Sequence, residues 1–78
     1  MKVALSQLKT GETGIVVKVR GSGSIRKRII DMGIVPGTKI KVQKFAPLSD
    51  PMELKLKGFN LSLRKAEAEF IEVEAEDK

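Results

Sequence analysis

The stretch from Ser24 to Val42, SIRKRIIDMGIVPGTKIKV, decides the fold because it turns from a helical pattern into a strand pattern within a few residues. Its first half places Ile25, Ile29 and Met32 at helical spacing. This spacing predicts a short helix, Ser24 to Met32, with those three side chains on the inward face. Three consecutive cations fall largely on the other faces of that helix.

The residues around the helix predict how it begins, how it ends and where the chain goes next. Ser24 is a residue type that caps helix N-termini, and Gly33 is the type that ends a helix in the left-handed conformation. The pair Pro36-Gly37 predicts a turn, since proline fixes φ at the second turn position and glycine accepts a positive φ at the third. Ile40 would then begin the next strand with its side chain inward.

Strand patterns occupy most of the remaining sequence. TKIKVQKF and MELKLK alternate between apolar and polar residues, TGIVVKVR is mostly β-branched, and GFN predicts a tight reversal between two strands. The segments LSL, RKAEA and FIEVE predict a strand, one helical turn and a closing strand. The apolar residues that we expect on the inward faces of these strands are Ile15, Val17, Val19, Ile40, Val42, Met52, Leu54 and Leu56; Leu63 and Phe70 are also expected to face the core.

These patterns together predict a mainly β fold. About five short antiparallel strands with one buried face favour a small barrel, because closure removes exposed sheet edges. A strand, a helical turn and a closing strand in this order are typical of SH3-like barrels. We therefore predict an SH3-like antiparallel barrel of about five strands, with one short α-helix between the first two, forming a single domain over residues 1–78.

Composition excludes several classes of protein. The 78 residues are 41% hydrophobic and 32% charged, which is typical of a globular chain. Cysteine is absent, so a disulfide framework is not available. No apolar run approaches the roughly 20 residues that span a bilayer, and the N-terminal apolar region is too short for a secretory signal. We expect a cytoplasmic protein.

Charge is unevenly distributed along the chain. Residues 1–65 contain 14 Lys and Arg against 4 Asp and Glu, whereas residues 66–78 contain one Lys against six acids. A basic body of this kind is consistent with a nucleic-acid patch. It is equally consistent with an acidic tail, at about residues 74–78, that folds back onto the body and neutralises it.

Residue usage also argues against catalysis and against a resident metal. Histidine, cysteine, tyrosine and tryptophan are all absent, which removes the usual proton shuttles and soft nucleophiles. Glu72, Glu74 and Glu76 alternate, and we interpret them as solvated carboxylates on one strand face rather than as an iron site. We expect no enzyme activity and no cofactor.

Nucleic-acid binding is the alternative that the sequence leaves open. Lys39, Lys41, Lys55 and Lys57 are expected to line one outer face of the sheet. Small β-barrels that bind nucleic acid usually add exposed aromatic side chains on which bases stack. Alternating lysines also keep an outer face in water and edge strands unpaired, so this pattern does not by itself establish such a function.

Three long segments resemble the FeoA family, whose members are small cytosolic components of bacterial ferrous iron uptake. They are LSQLKTGETGIVVKV, RKRIIDMGIVPGTKIKV and APLSDPMELKLKGFNLSLRKAEAEFIEV, and they cover nearly the whole chain in the family's order. Ile29 stands where the family usually has leucine, which is a conservative change. The resemblance implies an SH3-like barrel and an accessory role beside FeoB, a membrane protein with a cytosolic GTP-binding domain. It also implies a likeness to the SH3-like regulatory domain that ends some metal-dependent repressors, which we keep as an alternative.

We expect the function to be protein binding, with docking on the cytosolic side of a FeoB-like transporter. The candidate contacts are the basic face of the helix and the proline-containing loop from Ala46 to Met52, after the second predicted strand, where stiff apolar surface lowers the entropy cost of docking. An exposed sheet edge would also allow self-association. The residues that we predict to bind the partner are Arg26, Lys27, Arg28, Pro47, Leu48 and Pro51.

Overall fold

The computed structural model describes residues 1–21, 23–45 and 50–76. Its elements are six strands, two α-helices and a 3₁₀ turn at Leu5–Gln7. The helices are α1 (Gly23–Asp31) and α2 (Lys65–Ala68). The strands are β1 (Lys2–Ala4), β2 (Thr13–Val19), β3 (Lys39–Phe45), β4 (Met52–Leu56), β5 (Phe59–Leu63) and β6 (Ile71–Ala75).

All six strands belong to one antiparallel sheet in the order β1-β6-β2-β3-β4-β5. The prediction of a mainly β fold with one short helix before β3 is confirmed. The additional strand is β1, which pairs with β6 through Lys2 opposite Glu74 and Ala4 opposite Glu72. Three residues are too few to show an alternating pattern in the sequence, so this strand was not predicted.

Every strand from β2 to β6 contributes to a single apolar core beneath the sheet. The predicted inward positions in β3 and β4 are confirmed, because all five side chains are buried: Ile40, Val42, Met52, Leu54 and Leu56. Leu63 is also buried, while Met32 and Phe70 are partly buried and pack against the core. The fully buried side chains include Leu5, Val16, Ile29, Ile34, Ile40, Val42, Met52, Leu54, Leu63, Ile71 and Val73.

The predicted inward face of β2 is confirmed at Val19 but wrong at Ile15 and Val17. Val16 and Val19 are buried, whereas Ile15 and Val17 are 37% and 38% exposed. The register between β2 and β6 shifts between Val16 and Lys18, which is the signature of a β-bulge. One extra residue reverses the alternation within the strand, so Val16 and Val19 point inward although they are three residues apart.

Helix α1 begins and ends one residue earlier than predicted, so Ser24 lies in its first turn rather than at its cap. Ile29 is buried as expected, but Ile25 is 38% exposed, because it lies in the first turn, ahead of the point where the helix meets the core. Gly33 follows two residues after the end of α1 and has φ +95°, the left-handed conformation that was predicted for it. The N–H of Ile34 donates to the carbonyl of Ile29 (3.2 Å), which satisfies a terminal carbonyl and buries Ile34.

The predicted turn between helix and strand is confirmed. Thr38 N–H donates to the Val35 carbonyl (3.0 Å), so Pro36 and Gly37 are the two central turn residues. Gly37 has φ +96°, a conformation that glycine accepts without steric cost. Gly37 N–H then donates to the Val16 carbonyl (2.7 Å), which fixes the turn against β2 and sets Ile40 facing the core.

The acidic end of the chain is partly incorporated into the sheet. Strand β6 continues through Ala75, and Glu76 N–H donates to the Thr13 carbonyl (2.9 Å). Residues 74 to 76 of the predicted acidic tail are therefore held against β2, whereas residues 77 and 78 lie outside the described residues.

Candidate partner-binding surfaces

The three cations of α1 are all exposed, but they are not equivalent. Arg28 forms an ion pair with Glu67 of α2, with 2.9 Å between Nη2 and Oε2. Arg26 and Lys27 make no ion pair with any residue in the described ranges. The solvent-facing charge on this helix is therefore carried by Arg26 and Lys27, while Arg28 also joins the two helices.

Only the last part of the predicted binding loop can be placed. Pro47 and Leu48 lie outside the described residues. Pro51 is half-buried at the start of β4, and the preceding Asp50 accepts a hydrogen bond from the Lys65 N–H (3.0 Å) at the first turn of α2.

Helix α2 joins these two predicted binding segments. Glu67 of α2 forms the ion pair with Arg28 of α1. The backbone N–H of Lys65, also in α2, donates a hydrogen bond to Asp50 at the end of the loop. Glu67 also accepts the Arg64 N–H (3.3 Å), so the same carboxylate caps α2. The basic helix and the end of the loop thus both contact one short helix, through residue pairs that are far apart in the sequence and show no local pattern there.

A second basic surface lies on β3, β4 and the turn after β4. Lys39, Lys41, Lys55 and Lys57 line one groove of about 430 Å³, as their alternation in the sequence suggested. Phe59 is 47% exposed and borders an adjoining recess. The exposure of this aromatic side chain was missed, because Phe59 directly follows a tight turn where alternation no longer indicates which face a residue occupies.

The two glutamates of β6, and Glu76 directly after it, are engaged in ion pairs. Glu72 lies 3.2 Å from Arg20, Glu76 lies 3.6 Å from Lys39, and Glu74 accepts a hydrogen bond from the N-terminal ammonium of Met1. That hydrogen bond lowers the pKa of Glu74 below its usual value, and the positive charges of the ammonium and of Lys2 lower it further. Within the described residues, no three acidic side chains converge as metal ligands.

The described part of the chain contains no helix that is both long and apolar enough to cross a membrane. The described residues form two basic surfaces, one on α1 and one on β3 and β4.

The sheet, with α1 before β3 and one helical turn before the last strand, defines a domain of the SH3-like class. FeoA from Stenotrophomonas maltophilia, solved with zinc and described as a prokaryotic SH3 domain protein, aligns with a TM-score of 0.79 at 23% identity. The alignment covers 95% of this chain and 89% of that one, so the fold is shared. A model of the FeoA domain matches residues 3–75, and the chain belongs to the FeoA family of ferrous iron transport.

Two further relatives support the assignment. The NMR structure of a FeoA-like protein from Clostridium acetobutylicum has a TM-score of 0.92 at 38% identity, covering 99% of this chain and 90% of that one. An Fe(2+) transport protein A/Fe(2+) transporter FeoB fusion protein of Porphyromonas gingivalis is 47% identical over 70 residues. That match covers 90% of this chain but only 8% of the relative, so the chain corresponds to a small part of the fusion protein.

Proposed function

We propose that this chain is an accessory protein of ferrous iron uptake that docks on the cytosolic side of a FeoB-type membrane transporter. The observation that carries the proposal is the fusion relative, in which a segment 47% identical to this chain belongs to the same polypeptide as FeoB. A fusion holds two modules at a high effective concentration, which favours even a weak contact between them. A separate chain must supply the same contact through its own surface.

The surface that best fits this docking is formed by α1, α2 and the end of the loop. Arg26 and Lys27 present positive charge that no described residue neutralises. The contacts of α2 with Arg28 and Asp50 hold the helix and the loop end in fixed positions. A surface that is already ordered loses less entropy on binding. Complementary charge on the transporter would then orient the encounter.

Docking would act on the transporter through differential affinity. A partner that binds one conformation more tightly than another shifts the population toward the first. The chain would act in this way without catalysing a reaction and without a cofactor of its own, a proposal that rests on the absence of histidine and cysteine from the sequence.

Charge reversal on α1 tests the proposal. The variant Arg26→Glu/Lys27→Glu should lose copurification with a FeoB-type transporter expressed in the same cells, and ferrous iron uptake that depends on the chain should fall with it. Both side chains are exposed, so the fold should be retained, and circular dichroism would check this.

The matched control is Lys9→Glu/Lys44→Glu, which changes net charge by the same amount at exposed positions that are not on α1. Lys44→Glu removes a 4.0 Å contact with Glu53 and also places two glutamates opposite each other in β3 and β4. Urea unfolding of both double variants therefore separates loss of binding from loss of stability. The control should copurify like the parent. Normal copurification of the α1 variant, or equal loss in both variants, would contradict the proposed docking surface.

A further inference from the structure

The basic groove on the sheet is a surface distinct from α1. We call it the lysine groove, and it is lined by Thr13, Lys39, Lys41, Lys55, Leu56 and Lys57. An adjoining recess of about 330 Å³ shares Lys39, Leu56 and Lys57 with it and is bordered by Phe59. The two form a continuous depression with a positively charged wall, a buried leucine in its lining and an exposed aromatic ring.

The charges of the groove are arranged unfavourably for the isolated protein. Lys41 and Lys55 are direct partners in the antiparallel pairing of β3 and β4, and like charges directly opposite each other destabilise a sheet. In the described residues, neither of them nor Lys57 forms an ion pair, whereas Arg20, Arg28 and Lys44 each lie within 4.0 Å of a carboxylate. A local arrangement that costs stability without compensation is expected at functional sites.

A carboxylate of the chain itself already lies at one end of the groove. Glu76 Oε1 is 3.6 Å from Lys39 Nζ. The Glu76 N–H donates to the carbonyl of Thr13, which is another groove residue (2.9 Å). The end of β6 therefore brings a glutamate side chain and an extended backbone to the groove, and this contact leaves Lys41, Lys55 and Lys57 unpaired.

We propose that the lysine groove binds a short acidic peptide segment of a protein partner, and that Glu76 occupies one end of the groove in its absence. Carboxylates of the peptide would pair with Lys41, Lys55 and Lys57, and an apolar side chain between them would contact Phe59. Binding of this segment would compete with Glu76 for Lys39. This inference goes beyond docking through α1 and does not depend on it.

The lining favours an acidic peptide over nucleic acid. Among the described residues, no arginine lines the groove, although the planar guanidinium is the group that matches a phosphate in bidentate geometry. Of the aromatic side chains that the structure describes, one borders the depression, whereas proteins that bind single strands stack several successive bases. Within the molecule itself, the carboxylate of Glu76 already pairs with Lys39, as the carboxylates of an acidic peptide would pair with the other lysines.

Fluorescence anisotropy of the full chain with a fluorescein-labelled octapeptide of alternating glutamate and leucine tests the inference. We expect saturable binding at low salt that weakens as salt is added. Lys41→Glu/Lys57→Glu should raise the dissociation constant about tenfold or more, because two attractive contacts become repulsive. Glu76→Gln should lower it, because the internal competitor loses its charge.

Lys9→Glu/Lys44→Glu is the matched control, since it changes net charge equally at exposed positions that lie neither in the groove nor on α1. It should bind the peptide like the parent, and equal weakening in both double variants would overturn the inference. So would tighter binding of a fluorescein-labelled dodecamer of deoxythymidine than of the peptide, which would favour nucleic acid. Absence of peptide binding would also overturn it.

A second measurement keeps the test independent of folding defects. Lys41→Glu alone places a glutamate opposite Lys55, which replaces a like-charge pair with an opposite-charge pair. This variant should unfold at a higher urea concentration than the parent while binding the peptide more weakly. A variant that is less stable than the parent, or that binds the peptide equally well, would contradict the role assigned to these two lysines.

Discussion

Arg28 of α1 and Glu67 of α2 form an ion pair, with 2.9 Å between their nearest nitrogen and oxygen atoms. Glu67 also accepts the Arg64 N–H, so one carboxylate both caps α2 and holds α1 against it. Arg28 was predicted from the sequence as a partner-binding residue together with Arg26 and Lys27. Its pairing gives it a role within the fold, and the two neighbouring cations remain the better candidates for docking.

The two members of this pair should differ in their contribution to stability. Arg28→Ala should lower the free energy of unfolding by about 0.5 kcal/mol, since an exposed ion pair contributes little. Glu67→Ala should lower it by about 1 kcal/mol or more, because the helix cap is lost as well. Urea unfolding of the two single variants and the double variant would measure the coupling between them. If Arg28→Ala lowered the free energy of unfolding more than Glu67→Ala did, the double role of Glu67 would be refuted.

Gly14 is required by close packing between β2 and β6. A Cβ atom built at Gly14 would lie 3.0 Å from both Cβ and Cγ2 of Val73 and 3.3 Å from Cδ1 of Leu8. Gly14→Ala should therefore destabilise the protein by about 1–3 kcal/mol, the usual cost of overpacking a core. Thermal or urea unfolding would measure it.

A compensating change tests the cause of that loss. Val73→Ala removes Cγ2, so Gly14→Ala/Val73→Ala should be less destabilised than the sum of the two single variants. Simple additivity would exclude Val73 Cγ2 as the cause, since Val73 Cβ remains in the alanine variant. A Gly14→Ala variant as stable as the parent would exclude the steric explanation as a whole.

Glu74 should titrate below the usual range of a glutamate. The N-terminal ammonium donates a hydrogen bond to its carboxylate, and this contact is the main cause of the lowered pKa. Because the pKa is lower in the folded chain than in the unfolded one, the contact stabilises the fold above the unfolded pKa. That contribution is lost as the pH falls through the lowered pKa.

An NMR titration of the Glu74 side-chain carboxyl carbon would measure this pKa directly. Acetylation of the Met1 amino group removes the ammonium and should return the pKa toward the usual value. Lys2 would still lower it slightly by its charge. An acetylated chain with the same Glu74 pKa as the parent would assign the shift to another cause.

Elements with regular alternation could be predicted from the sequence. Strand β4 alternates strictly between apolar residues and glutamate or lysine, and β3 alternates in the same way as far as Val42, so Ile40, Val42 and Leu54 were placed correctly in the core. The Pro36-Gly37 turn was predicted because each residue's backbone preference fits one turn position. These elements are determined by local preferences that a single sequence displays.

Elements that depend on contacts between distant segments could not be predicted. Ile15, Val16 and Val17 are all apolar and β-branched, so the strand pattern does not show where the bulge reverses the inward face. The three residues of β1 form a strand because they pair with β6, a contact with a segment that is distant in the sequence.

The same limit applies to the candidate site. The lysines of the groove were predicted to share a face because they alternate with apolar residues in the sequence. The contacts of Arg28 with Glu67, and of Lys39 with Glu76, join residues more than 35 positions apart in the sequence. Such pairs arise only from the fold, so the sequence indicated the charges but not which of them are neutralised.

The most direct test of docking is a calorimetric titration of the intact chain into a purified, detergent-solubilised FeoB-type transporter. We expect a saturable isotherm that Arg26→Glu/Lys27→Glu abolishes and Lys9→Glu/Lys44→Glu retains. Contact through a small, mostly charged surface should bind in the micromolar range, which corresponds to about 7–8 kcal/mol of binding free energy. If no binding were detected with the transporter at about 100 µM, a concentration that saturates any micromolar contact, this chain would not act by docking on FeoB.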